Sequence, residues 1–168
     1  TQEQRELRVL TLGLDKAGKT TILRTLKGDL SSPSFPTLGF NTELIIHNDA
    51  KFTLWDVGGQ RLMRPMWHLY GKGSHAFIFV VDSTDRERID EAKEELHRII
   101  NNRELREAAI LILANKQDLP DAMSSQEVQE AMQLEGFTDR LWHVQPSINS
   151  SGEGLNEGLT WISTNCKK

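Results

Sequence analysis

Cysteine is almost missing: Cys166 is the only one in 168 residues, so no internal disulfide can close and a clustered-thiolate metal site is excluded. A lone thiol suits a reducing compartment, and the cytosol is the expected setting. Only Lys167 and Lys168 follow Cys166, so the prenylation signal of a cysteine plus three residues is not formed. Cys166 therefore reads as a surface thiol. A basic excess is missing too. Lys and Arg number 20 against 24 Asp and Glu, a net charge of -4, which offers nucleic acid no positive surface and is too mild for an acidic disordered tail. No apolar run is long enough to cross a bilayer, and there is no signal peptide, internal repeat or low-complexity tract. The 5 histidines, His47, His68, His75, His97 and His143, stand without ligand spacing, so a metal enzyme is not expected.

What remains is the composition of an ordinary globular chain. Its 168 residues are enough for one domain, spanning 1–168, with a full core. Apolar runs alternate with helical periodicity, which predicts the α/β class: a mainly parallel six-stranded sheet with helices on both faces. Leu7, Val9, Leu10 and Leu12 predict the first strand, and Thr20 to Leu26 predicts the helix after it. Ala76 to Val81 and Ala109 to Ala114 are continuously apolar, as strands covered on two faces should be. Between them Ile89, Ala92, Leu96, Ile99 and Ile100 recur at helical spacing. Thr42 to Ile46 and Lys51 to Trp55 flank His47-Asn48-Asp49-Ala50, a hairpin that adds one antiparallel edge strand. Leu141 to Val144 predicts the last strand, and Leu155, Leu159 and Ile162 the closing helix.

The turn between the first strand and helix, Gly13-Leu14-Asp15-Lys16-Ala17-Gly18-Lys19-Thr20, fits the phosphate-cradle pattern G-x-x-x-x-G-K-S/T. Glycine lets backbone N–H groups approach phosphate oxygens, Lys19 brings a mobile positive charge, and the Thr20 hydroxyl can coordinate Mg²⁺. Asp15, Lys16, Ala17, Gly18, Lys19, Thr20 and Thr21 are the expected phosphate contacts. Other chemically pointed residues also follow the carboxyl ends of apolar runs, where open α/β sheets bind ligands. Asp56 is placed to reach Mg²⁺ through water. Gly59 can offer its N–H to a terminal phosphate, and Gln60 can orient a water for in-line attack. Asn115-Lys116-Gln117-Asp118 names the base. One carboxylate at Asp118 can accept both the ring and the exocyclic N–H of guanine, a donor pair that adenine lacks. Lys116 can lay its stem over the base, and Asn115 can tie this loop to the phosphate loop. Val80-Val81-Asp82 carries no evident chemistry and reads as structural.

Gly13-Leu14-Asp15, Pro36-Thr37-x-Gly39-Phe40-Asn41, Trp55-Asp56-Val57-Gly58-Gly59-Gln60, Arg64-Pro65-x-Trp67-x-x-Tyr70 and Asn115-Lys116-Gln117-Asp118 stand in the order and at the spacing of one group. By these motifs the chain resembles the small GTPases of the ADP-ribosylation-factor and Arf-like family over nearly its whole length. The resemblance implies the Ras-like P-loop fold and a switch between GDP and GTP that regulates membrane traffic. It puts Thr37 in the Mg²⁺ shell and, with Lys19 and Gln60, in the catalytic set. Guanine contacts extend to Asn149 and Ser150, and Phe40, Trp55 and Tyr70 form the effector surface. An exchange factor, a GTPase-activating protein and effectors are the implied partners, on Golgi or other endomembranes. In that family the hairpin between 41 and 55 slides along the sheet and links the nucleotide to a membrane-binding N-terminus.

No arginine precedes Thr37 in residues 31 to 36, so slow intrinsic hydrolysis is expected, with about 10³ to 10⁵ in rate to come from an activating protein. The chain also departs from the family pattern. Lys16 stands where the family has a small or polar residue, and Asn149 where it generally has alanine. Thr1 is not an initiator methionine, and the myristoylated amphipathic segment common to the family is not in the sequence, so a peripheral membrane protein whose anchor was removed or never existed is expected. The alternatives are a P-loop phosphotransferase, which lacks a reason for the base loop, and a nucleotide-binding scaffold that does not hydrolyse efficiently.

Overall fold

The computed structural model describes residues 5–14, 16–27, 40–47, 50–57 and 73–166. The strands are β1 (Arg5–Gly13), β2 (Phe40–His47), β3 (Ala50–Val57), β4 (Ala76–Asp82), β5 (Ala109–Asn115) and β6 (Trp142–Pro146). They are joined by helices α1 (Lys19–Lys27), α2 (Ile89–Ile100), α3 (Ser125–Ala131) and α4 (Leu155–Asn165). The six strands form one sheet in the order β2-β3-β1-β4-β5-β6. β1 pairs in parallel with β3 and β4, and the parallel run continues through β5 to β6. Only β2 is antiparallel, pairing with β3 at the edge. This is the mixed sheet of a Ras-like P-loop fold, and its six strands are those the apolar runs predict.

Side-chain alternation along each strand divides the core into two layers. Leu7 and Val9 of β1 join Phe52, Leu54, Ile78, Val80, Leu111 and Leu113 under α1 and α4. Leu10 and Leu12 face the other way, joining Phe77, Phe79, Ile110 and Ile112 under α2 and Val128 of α3. Each such side chain taken from water contributes about 1.5–3 kcal/mol. The central strands β4 and β5 are covered on both faces, which is why their sequences are unbroken apolar runs.

Four local expectations change. His47 and Ala50, expected in the hairpin turn, are instead the paired ends of β2 and β3. β6 begins one residue later than predicted and runs on to Pro146, while Leu141 stays 55% exposed. Only Val144 of this edge strand is buried, so its apolar pattern is too sparse to mark its bounds. The short helix α3 has no sequence counterpart above, although Ser124 and Glu127 form a capping box at its start, a pattern legible in sequence. Cys166 is not a surface thiol. It is 6% exposed, its Sγ donates to the His75 carbonyl at 3.3 Å, and it extends the buried stripe Leu155, Leu159, Ile162 at helical spacing.

Candidate functional site

β1 lies in the sheet with β3 on one side and β4 on the other, so the chain's connections diverge at its carboxyl end, the place where such sheets bind ligands. There the backbone turns sharply. Gly13 has φ of 154° and Gly18 of 100°, and between them the Ala17 N–H donates to the Leu14 carbonyl at 3.3 Å. A methyl group on Gly13 would lie 2.7 Å from the Val80 carbonyl oxygen, so only glycine lets the loop fold back on β4. α1 starts immediately afterwards at Lys19, and its first turn holds no acidic residue. By contrast, α2 carries Asp90 and Glu91 in its first turn. An amino terminus left free of carboxylates, behind a glycine loop, is suited to an anion. Lys19 is half-buried, Thr20 and Thr21 are exposed, and Asp15 lies outside the described residues.

The predicted base loop reaches this phosphate loop. Asn115, fully buried at the end of β5, donates Nδ2 to the Ala17 carbonyl at 2.9 Å. Its Oδ1 accepts from the Ser147 hydroxyl at 3.2 Å, so both ends of the carboxamide are satisfied within the protein. Lys116 Nζ donates to the adjoining Lys16 carbonyl, also at 2.9 Å. Two successive carbonyls of the phosphate loop are therefore gripped by two successive residues of the base loop. Gln117 braces that loop from below, donating Nε2 to Met123 O at 2.8 Å and to Ser83 Oγ at 3.1 Å.

Asp82, read from sequence as structural, has a specific partner in the base loop. Its Oδ2 pairs with Lys116 Nζ at 2.9 Å, and its Oδ1 accepts from the Thr84 amide at 2.9 Å and the Thr84 hydroxyl at 2.6 Å. Burial raises the Asp82 carboxyl, but the Thr84 and Lys116 hydrogen bonds and the Lys116 charge outweigh it and hold the group below its ordinary value. Sequence alone gave no sign of this pair, because its partners are 34 residues apart.

Asp118 is exposed, and its carboxylate makes no hydrogen bond or ion pair with any described residue. It is an acceptor open to a ligand. Beside it the last loop is held by backbone bonds: Ser147 N–H reaches Ala114 O of β5 at 3.0 Å, and Gly152 N–H reaches Ile148 O within the loop at 2.8 Å. The Asn149 carbonyl accepts from Thr25 of α1 at 3.0 Å. The Asn149 side chain also abuts the phosphate loop, since a methyl group on Gly18 would lie 2.7 Å from its Nδ2 and 2.5 Å from that of Asn115. Lys16 and Ser150 are exposed.

The structure thus brings Lys16, Ala17, Gly18, Lys19, Asn115, Lys116 and Asn149 to one end of the sheet. Asp56 stands level with Thr11 on the neighbouring strand, and Trp55 with Leu10, while Phe40 opposes Val57. Thr37, Gly59, Gln60 and Tyr70 lie outside the described residues. Among the described residues no helix is long and apolar enough to cross a membrane.

A family model described as the ADP-ribosylation factor family matches residues 1–166. That match covers the glycine loop, the whole sheet and the base loop together, and the chain belongs to the ADP-ribosylation factor family of small GTPases, GTP-binding regulatory switches that hydrolyse GTP.

Proposed function

We propose that this chain alternates between GDP- and GTP-bound states, with guanine held by Asp118 and the phosphates by the loop from Gly13 to Thr21. The observation that carries the reading is the grip of Asn115 and Lys116 on the carbonyls of Ala17 and Lys16, both at 2.9 Å. It sets a carboxylate that has no partner among the described residues at the same end of the sheet as a helix whose first turn carries no acidic residue. These are the two ends that a guanosine phosphate requires: paired acceptors for the base and backbone donors for the phosphates. Asn149 and Ser150 complete the base pocket through their backbone.

The glycine cradle, which added side chains would fill, and the exposed Thr20 on the first turn of α1 fit a phosphate-bound Mg²⁺. Thr20, Thr37 and, through water, Asp56 would hold it. Bound there, Mg²⁺ supplies positive charge to the phosphate oxygens. Lys19 adds the chain's own charge to the same oxygens. Gly59 donates its N–H to the terminal phosphate, and Gln60 orients the attacking water. Without an arginine before Thr37 the intrinsic rate is slow, and an activating protein supplies the missing cation. An exchange factor opens the site, and effectors read Phe40, Trp55 and Tyr70 when Thr37 and Gly59 are engaged. Peripheral attachment to Golgi or another endomembrane and a role in vesicle traffic complete the reading.

Two measurements test it. Denaturing the purified protein and chromatographing the supernatant should release GDP; adenine nucleotide, or a protein that captures neither purine, would overturn the assignment. In single-turnover assays Gln60→Leu should retain GTP binding and lose hydrolysis. Equal hydrolysis by that variant removes Gln60 from the mechanism, and no stimulation by any activating protein favours a non-hydrolysing scaffold.

A further inference from the structure

We propose that Asp82 is a positioning residue of the nucleotide site, acting through Lys116 to hold the phosphate loop in its binding shape. The inference rests on the guanine-nucleotide reading and adds to it a residue from β4, a strand that otherwise supplies only core.

The geometry is a relay across three segments. Asp82 closes β4 directly beside Asn115, with which it is in register, so its carboxylate sits under the start of the base loop. Its two oxygens have separate duties. Oδ1 is fixed by the backbone and hydroxyl of Thr84, at 2.9 and 2.6 Å, which leaves Oδ2 aimed at Lys116 Nζ, 2.9 Å away. The same ammonium continues to the Lys16 carbonyl.

Backbone geometry at both ends of the last bond explains why it needs support. Lys116 has φ of 68° and Lys16 of 66°, a left-handed conformation that a side-chain-bearing residue rarely adopts. Only 3 non-glycine residues among those described do so: Lys16, Lys116 and Gln133. The Lys116 ammonium bridges the first two, so each residue's unusual backbone is stabilised by the other. A lysine stem has four rotatable bonds and loses much rotamer freedom when held. An isolated exposed lysine would not keep one pose. The largely buried carboxylate at one end, with side chains 16% exposed for Asp82 and 24% for Lys116, selects the rotamer in which Nζ also reaches Lys16.

Asp82→Asn keeps the size and loses the charge, so Lys116 is released and the Lys16 peptide loses its donor. The readout is dissociation of a fluorescent GDP analogue, chased with excess GDP in Mg²⁺, for wild type, Asp82→Asn, Lys116→Ala, Thr84→Ala and the double variant Asp82→Asn with Lys116→Ala. We expect release about tenfold faster for Asp82→Asn, a smaller acceleration for Thr84→Ala, and a double variant no faster than Lys116→Ala alone, as residues acting in series should behave. A merely structural Asp82 would instead multiply with Lys116→Ala. That result, or rates within twofold of wild type for both Asp82→Asn and Thr84→Ala, overturns the inference while leaving the nucleotide reading intact. Thr84→Ala, which removes one part-buried hydroxyl outside the core, keeps the question answerable if Asp82→Asn does not fold. Failure of the wild-type protein to bind the GDP analogue at all would overturn the nucleotide reading itself.

Discussion

Asn115 and Ala17 are 98 residues apart in sequence, yet the carboxamide of one donates to the carbonyl of the other at 2.9 Å in the buried floor of the site. The bond ties the base loop to the phosphate loop. Replacing Asn115 with alanine strands Ala17 O and the Ser147 hydroxyl, each at about 1–3 kcal/mol. GDP release should then quicken at least about tenfold, since 1.4 kcal/mol corresponds to that factor. Stopped-flow fluorescence measures it; an unchanged rate would mean that the two loops are held by other contacts.

Asp118 determines the base by acceptor chemistry. In Asp118→Asn the carboxamide keeps one acceptor and presents a donor, so guanine meets a mismatch while xanthine, with a carbonyl in place of the amino group, gains a partner. Affinity for GDP should fall by about 10⁴ to 10⁵, and xanthosine diphosphate should bind in its place. Calorimetric titration with both nucleotides checks this; GDP affinity within tenfold of wild type would assign the base contact elsewhere.

Gly18 is wedged between two carboxamides. Its φ is 100°, and a methyl group there would meet Asn115 Nδ2 at 2.5 Å and Asn149 Nδ2 at 2.7 Å. Gly18→Ala should push Asn115 off Ala17 and strain the loop by about 1–3 kcal/mol, lowering GDP affinity while the sheet stays folded. Circular dichroism and nucleotide titration on the same sample separate the two effects.

Thr11 carries the only buried side-chain polar atom without a hydrogen-bond partner among the described residues, its hydroxyl oxygen. Valine has the same branched shape without that cost, so Thr11→Val should stabilise the fold by about 1 kcal/mol. For a chain of this size the melting temperature should rise by about 2–4 °C. A lower melting temperature would show that the hydroxyl has a partner in solution.

The Asp82 pair predicts an acid limit. Its carboxyl is held below the ordinary value of 3.8 in the folded state, so its stabilisation is fully present above that pH and is lost as pH falls through the lower, folded value. Urea titrations from pH 7 downward should show the wild type converging on Asp82→Asn in the most acid range. Parallel curves throughout would contradict the linkage.

Much of this was legible in residue order, and the reason is local physics. An unbroken run such as Ala76 to Val81 has nowhere to go but a doubly covered strand, and Gly13 and Gly18 flank a turn that other residues cannot make. The guanine loop was legible because Asp118 needs no protein partner to be recognised; its chemistry is complete in one side chain. Cys166 was misread because its burial depends on where α4 comes to rest against His75. Sparse burial hid the bounds of β6.

Sequence by itself determined the fold class, the family and the identity of the phosphate and base loops, because periodicity and short motifs are written within a few neighbouring residues. Only the tertiary structure decided how those loops are joined: that Asn115 grips Ala17, that Asn149 stands against Gly18, and that the Lys116 ammonium meets both Asp82 and Lys16. Each of those contacts is a hydrogen bond or close approach effective over only a few ångströms. Residues far apart along the chain can meet at that range only after the parallel strands have aligned their carboxyl ends.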